Sequence, residues 1–167
     1  MPPTDALNLD AMTPDDIEPA VDLIARAMNP DEGRWARETM DYHFACRRHG
    51  IDDGRTYLIW RHAGRVAGVV GLHRYIWGPP QNVWLAWFAV DPDVHGRGYG
   101  RALLAAVQSL AAERGFRRFL VETYGSGTFD RARGFYESQG FAPAGRIERY
   151  LPDGSDMLVY AKDLPPA

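Results

Sequence analysis

The stretch from Val83 to Arg114 constrains this chain more than any other. Val83 to Val90 is an unbroken apolar run of strand length, and Asp91-Pro92 closes it. Leu103, Leu104, Val107, Leu110 and Ala111 then mark one face of an amphipathic helix running from about Gly98 to Arg114. Between strand and helix lies Val94-His95-Gly96-Arg97-Gly98-Tyr99-Gly100-Arg101. Glycines at alternate positions let the backbone turn sharply and come close to another group. The free N–H groups at a helix start, with the dipole behind them, favour phosphate or pyrophosphate. Arg97 and Arg101 add positive charge that can meet phosphate oxygens.

The remaining segments fall around this unit. Ala6 to Met12 alternates as a first strand. Thr13-Pro14-Asp15-Asp16 reads as a helix start, followed by Ile17, Ala20, Val21, Ile24 and Met28 at helical spacing, and Asn29-Pro30 stops it. A second helix is predicted over Glu32 to His49. Strands follow at Arg55 to Arg61, Arg65 to Trp77 and Asn82 to Val90, the first two joined by a tight turn at Ala63-Gly64. After the central helix come a strand at Arg117 to Thr123, a short helix at Phe129 to Gln139, and a hairpin of Phe141 to Leu151 with Asp156 to Lys162. Consecutive strands imply an antiparallel meander, and strand–helix–strand implies a parallel pair. The expected fold is α/β (α+β): one domain, a mixed sheet and flanking helices.

Composition agrees with a single folded unit. The chain has 167 residues, 46% apolar and 25% charged. No apolar run reaches the roughly 18 residues of a membrane span. With 19 basic and 22 acidic residues the net charge is −3, which argues against nucleic acid as a general partner. The single cysteine, Cys46, excludes an internal disulfide, and its usage with the absence of leader features in the first residues points to the cytoplasm. His43 and His49 have no third ligand at useful spacing, so no metal is expected.

Three ligand classes use a glycine loop of this kind. A triphosphate loop ends in Gly-Lys-Ser/Thr, whereas this one ends Gly100-Arg101-Ala102. A dinucleotide fingerprint needs a small sixth residue, but counting from Gly96 gives Arg101 and from Gly98 gives Leu103. Coenzyme A is the third class.

The run from Trp87 to Leu104 resembles motif A of the GNAT superfamily of N-acetyltransferases. Ala132 to Phe141, with Phe135-Tyr136-Glu137 and Gly140-Phe141, resembles its motif B. The likeness extends over about residues 8–162. It implies a splay between the strand ending at Val90 and the strand Phe119 to Thr123, forming a cofactor cleft. Acetyl-CoA would be the co-substrate, with no metal. Backbone groups of Phe88, Ala89 and Val90 would pair with its pantetheine arm, and His95, Gly96, Arg97, Gly98, Tyr99, Gly100 and Arg101 would hold the pyrophosphate. His95 stands where the family usually has Gln or Arg, and Phe129 where many members have Asn.

The resemblance also implies roles in catalysis. Tyr136 matches the tyrosine that often protonates the leaving thiolate; the alternative is that it only packs beside Phe135. The position of the family's usual glutamate base is Ala86, which cannot act. Glu122 is the first substitute and His73 the second; alternatively Glu122 pairs with an arginine and His73 is a half-buried strand residue. Trp35 and Tyr42 lie on the helix that lines the acceptor side, as pocket or as core. The implied partner is a small-molecule or peptide amine, with a homodimer possible. A non-catalytic acetyl-CoA-binding sensor or scaffold is the alternative function.

Overall fold

The computed structural model describes residues 7–166. Its core is one seven-stranded mixed sheet in the order β1-β2-β3-β4-β5-β7-β6. In chain order the elements are β1 (Asp10–Ala11), α1 (Ile17–Ala27), α2 (Pro30–Arg48), β2 (Arg55–His62), β3 (Arg65–His73), β4 (Asn82–Val90), α3 (Tyr99–Glu113), β5 (Arg118–Tyr124), α4 (Asp130–Ser138), β6 (Ala142–Ile147) and β7 (Met157–Asp163). Only β4 and β5 run parallel. The fully buried Leu103, Leu104 and Val107 of α3 pack on one face of the sheet with Val70, Val83 and Phe119. Leu23 and Ile24 of α1 and Met40 of α2 cover the other face with Ile59 and Val69.

Several boundaries differ from the sequence expectations. The first strand is two residues long; Ala6 lies outside the described residues. Pro30 does stop α1, but it is also the first residue of α2, because the Asn29 side chain caps that helix by accepting the Glu32 N–H at 2.9 Å. The third strand ends at His73 rather than Trp77. Its partner β2 begins at Arg55, opposite His73, so the chain beyond has no strand to pair with. It turns instead, the Gly78 N–H donating to the Tyr75 carbonyl at 3.0 Å, and Trp77 is 86% exposed. The strand expected to reach Leu151 stops at Ile147, opposite the first residue of β7. The hairpin turn between β2 and β3 forms as expected, with Ala63 and Gly64 both at positive φ, 50° and 76°.

Two features open the sheet at its centre. β4 pairs with β5 only over Asn82 to Trp84, after which the two strands part. On its other edge β4 carries a bulge: Val70 is opposite Phe88 but Gly71 is opposite Ala86. The extra residue turns both Ala86 and Trp87 toward α1 and α2, where the Trp87 indole N–H donates to Thr39 Oγ1 at 2.7 Å. Trp84 to Phe88, in the middle of a central strand, are consequently only half-buried.

The helices α1 and α2 pack closely because Gly33 has no side chain. A Cβ there would lie 2.7 Å from Ala25 Cβ and 3.3 Å from the Val21 carbonyl oxygen. Gly33→Ala is expected to lower stability by about 1–3 kcal/mol through overpacking. Urea unfolding would show a lower midpoint at unchanged slope; an unchanged midpoint would mean the helices separate at no cost.

Candidate functional site

The splay is the wall of a cleft of about 510 Å³. The loop after β4 forms its floor. Gly96 and Gly98 adopt φ of 75° and 83°, and Gly98 is the N-cap of α3. The first hydrogen bond of the helix runs from Ala102 N–H to the Gly98 carbonyl at 3.1 Å. Among the described residues, no backbone or side-chain acceptor meets the N–H groups from Gly96 to Arg101. A row of free donors at the positive end of a 15-residue helix is suited to a pyrophosphate.

The loop is anchored from below. The Asp91 carboxylate takes two hydrogen bonds from the Arg26 guanidinium, each 3.1 Å, and accepts the Asp93 N–H at 3.0 Å. The Arg26 hydrogen bond leads in holding the Asp91 carboxyl below its ordinary range. His95 Nε2 lies 2.8 Å from the Val90 carbonyl. A carbonyl can only accept, so this nitrogen carries the proton. The imidazole thereby fixes the loop to the end of β4.

Nine of the ten sequence-derived cofactor residues line the cleft: Phe88, Ala89, Val90, His95, Gly96, Gly98, Tyr99, Gly100 and Arg101. Arg97 is exposed and does not. Arg131 on α4 does, a cation the sequence reading missed because the first turn of α4 gives no sign of facing the loop.

A second cavity of about 240 Å³ opens between α2 and the sheet. It shares Met28, Phe88, Phe129 and Tyr136 with the cleft, so these residues form the junction. Tyr136 is 7% exposed and packs against Phe88, Phe135 and Phe141. Its hydroxyl has no partner among the described residues. Burial raises its pKa above the ordinary 10.0, so the phenol stays protonated.

The second cavity is lined by two carboxylates, Glu32 and Glu122, with Arg55, His73 and four tyrosines. Glu122 accepts the Tyr124 hydroxyl at 2.8 Å, and no arginine pairs with it among the described residues. Glu32, in the first turn of α2, is 5% exposed, and its carboxylate has no partner among the described residues. Burial first, then the charge of Glu122, pushes the Glu32 carboxyl up to about 7. Burial first, then the Arg55 charge, lowers His73 to about 4, which leaves it neutral and weakly basic at neutral pH. His73 is a half-buried strand residue that also lines the cavity. Trp35 and Tyr42 do not line it; Tyr42 is 59% exposed. Their helix contributes Glu32 and Thr39 instead.

Sequence reasoning passed over Glu32 because an acid three residues after a capping Asn reads as an ordinary helix-start residue. His43, weighed for a metal, contacts Asp53 Oδ1 at 2.9 Å. Among the described residues no group of three or more His, Cys, Asp or Glu could hold a metal, and no helix is long and apolar enough to cross a membrane.

The family model of the acetyltransferase (GNAT) family matches residues 20–141. A mycothiol acetyltransferase of Clavibacter sepedonicus is 39% identical over 110 residues, covering 64% of this chain and 34% of that protein. The chain thus spans about a third of that relative's length. Among solved structures, a GNAT-family protein from Desulfovibrio desulfuricans superposes with a TM-score of 0.83 at 24% identity, covering 96% of this chain and all of the other (100%). A GNAT acetyltransferase from Elizabethkingia anophelis, solved with acetyl-CoA bound, gives a TM-score of 0.73 at 16% identity, covering 96% and 100% of the two chains. The glycine loop at the start of α3, the splayed β4 and β5, and the family match across most of the sheet agree: the chain belongs to the acetyltransferase (GNAT) family.

Proposed function

We propose that this protein transfers an acetyl group from acetyl-CoA to a primary amine by direct attack, both substrates being bound together. The observation that carries the reading is Tyr136, a protonated phenol buried where the two cavities meet. Free N–H groups from Gly96 to Arg101 would hold the pyrophosphate, with Arg101 and Arg131 beside it. The open edge of β4 at Phe88, Ala89 and Val90 offers backbone groups to the pantetheine arm. Acetyl-CoA supplies an activated acyl carbonyl and a thiolate leaving group.

The residues of the chain perform the proton transfers. An alkylamine with a pKa near 10 arrives protonated. Glu32, beside Glu122, takes a proton from the bound ammonium and so frees the lone pair that attacks the acyl carbon; the second proton, shed by the nitrogen as the adduct collapses to the amide, passes to water, from which Tyr136 is reprotonated. Glu122, in the more open wall, lies beside the bound cation. Tyr136 donates its proton to the departing sulfur. No side chain is placed as an activated nucleophile at the junction, so the path needs no acyl-enzyme. Glu32 supplies the base that Ala86 lacks, which favours catalysis over a passive binding module. The activity named for the mycothiol acetyltransferase belongs to a protein of which the match covers only 34%, and its acceptor is not carried over.

A thermal-shift titration with acetyl-CoA, CoA, NADH and ATP tests the cofactor. The two coenzymes are expected to raise Tm and the other two are not; no shift with either coenzyme would sink the reading. With acetyl-CoA and an accepted amine, thiol release follows the reaction. Its kcat/KM is expected to rise with pH up to about 7, as Glu32 ionises, and then level.

Stability should show the opposite sign. The folded-state pKa of Glu32 is raised above its ordinary 4.5, so its contribution is fully present below pH 4.5 and is lost as pH rises through about 7. Glu32→Gln is therefore expected to raise Tm at pH 8, leave it unchanged at pH 4, and remove the pH-dependent limb of the rate. Equal Tm values for both proteins at pH 8 would show that Glu32 is not held in a costly ionised state.

A further inference from the structure

The second cavity carries information about its occupant beyond the presence of an amine. Three of its polar side chains lack partners among the described residues. Among the described residues, the Glu32 carboxylate is nine-tenths buried and unpaired, and the buried Tyr57 hydroxyl and Thr123 Oγ1 have no hydrogen-bond partner. All three line the same space. Buried polar groups are normally satisfied, and each one left open is costly. Three around one cavity mark it as built for a hydrogen-bonding ligand.

The charge of the wall selects a cation. Among the described residues Glu32 and Glu122 have no basic partner, and the one guanidinium in the lining, Arg55, is already held by Asp53 Oδ2 at 3.3 Å. Asp53 is in turn bonded to His43 and is kept ionised: the hydrogen bonds from His43 and Arg55 outweigh the upward push of burial.

The remaining wall is apolar, with several aromatic rings. Trp84 and Tyr75 stand with ring centroids 5.8 Å apart, and Tyr75 stacks on the exposed Trp77 at 6.2 Å and 3°. Such faces attract a cation and cover flat apolar groups. The volume of about 240 Å³ exceeds the roughly 150 Å³ that accommodates benzene. One ring with a short amine-bearing chain fills it; a bare alkylammonium leaves the aromatic wall uncovered.

We infer that the acceptor is a primary ammonium on a flat apolar body of about one aromatic ring, its nitrogen between Glu32 and Glu122 and its ring against Trp84 and Tyr75. The inference rests on the acetyl-transfer reading only for which end of the molecule faces Tyr136. Binding itself does not depend on transfer.

Calorimetry on the full chain loaded with CoA, paired with thiol release from acetyl-CoA, tests this with three probes. 2-Phenylethylamine has the charge and the ring, 3-phenylpropionate reverses the charge, and methylamine lacks the ring. 2-Phenylethylamine is expected to bind at least about tenfold more tightly than either of the others, a difference of about 1.4 kcal/mol. Glu122→Gln, at an open wall position, should weaken 2-phenylethylamine about tenfold without changing CoA affinity. Trp84→Ala should weaken 2-phenylethylamine and leave methylamine unchanged. Equal binding of 3-phenylpropionate or of methylamine would overturn the inference, as would no binding of 2-phenylethylamine. If 2-phenylethylamine binds as expected but is not acetylated, the site assignment stands and the transfer reading falls. If other amines are acetylated while 2-phenylethylamine neither binds nor reacts, the reverse holds.

Discussion

Tyr136→Phe lowers kcat by about a hundredfold or more while acetyl-CoA affinity and Tm stay close to those of the parent. A positioned acid contributes roughly 10² to 10⁴ in rate, and the substitution removes only the oxygen that would supply it. The ring remains packed against Phe88, Phe135 and Phe141. The hydroxyl has no protein partner among the described residues, so no buried group is orphaned by its loss. Because burial holds the phenol above its ordinary pKa of 10.0, the acid should not impose a falling limb on the rate below about pH 10. Steady-state kinetics with thiol detection, beside a thermal melt, make the test. An unchanged kcat would return Tyr136 to a packing role and place the proton donor elsewhere in the junction.

Gly100→Asp is expected to weaken acetyl-CoA binding at least about a hundredfold without harming the fold. A Cβ at Gly100 meets only the Phe135 ring, at 3.8 Å, which is ordinary contact. An acid in the first turn of α3 complements the helix dipole, worth about 0.3–1 kcal/mol, so Tm of the free protein should hold or rise. The same carboxylate stands among the N–H groups offered to the pyrophosphate. Two like charges about 4 Å apart repel by roughly 4 kcal/mol at an effective dielectric of about 20, and 1.4 kcal/mol is already tenfold. Gly100→Ala is the control and should retain most of the affinity. Gly98 would be a poorer choice, since its φ of 83° strains any side chain and would mix folding with binding. Undiminished affinity in Gly100→Asp would mean that the phosphates do not rest on the start of α3.

The cofactor half of the site was legible in the sequence because its chemistry is local. Gly96, Gly98 and Gly100 lie within five residues of one another, and the strand before them and the helix after them follow from periodicity. A cradle of backbone N–H groups forms wherever that strand, turn and helix form. Only the arginine assignment changed. Arg97 sits in the loop but is exposed, while Arg131 comes from α4, thirty-four residues later in the chain. Nothing in the sequence around Arg131 indicates where α4 will lie.

The acceptor half was not legible, because its members meet only through the sheet. Glu122, Tyr124, His73, Trp84 and Glu32 come from β5, β3, β4 and α2. Glu122 lines the cavity as the sequence placed it near the site, whereas Trp35 and Tyr42 do not, although their helix contributes Glu32 and Thr39. That helix has a weak apolar pattern, so its rotation is not fixed by hydrophobicity alone. It is fixed by Gly33 against Ala25 and by the Trp87 hydrogen bond to Thr39, contacts that join α2 to α1 and β4. The same rotation buries Glu32, turning an ordinary helix-start acid into the most perturbed carboxyl in the cavity.

Taken alone, then, the sequence determined the succession of elements, the mixed sheet, the glycine cradle and the tyrosine of motif B, since each is written in neighbouring residues. Tertiary structure decided the rest. Where β4 leaves β5 after Trp84, and where the bulge at Ala86 and Trp87 turns the strand, depends on pairings with distant strands. β7, last in the chain, takes the place beside β5 and pushes β6 to the edge. Burial, with the charge of Glu122 beside it, then pushes the Glu32 carboxyl up, a shift that arises only when residues ninety positions apart share one cavity.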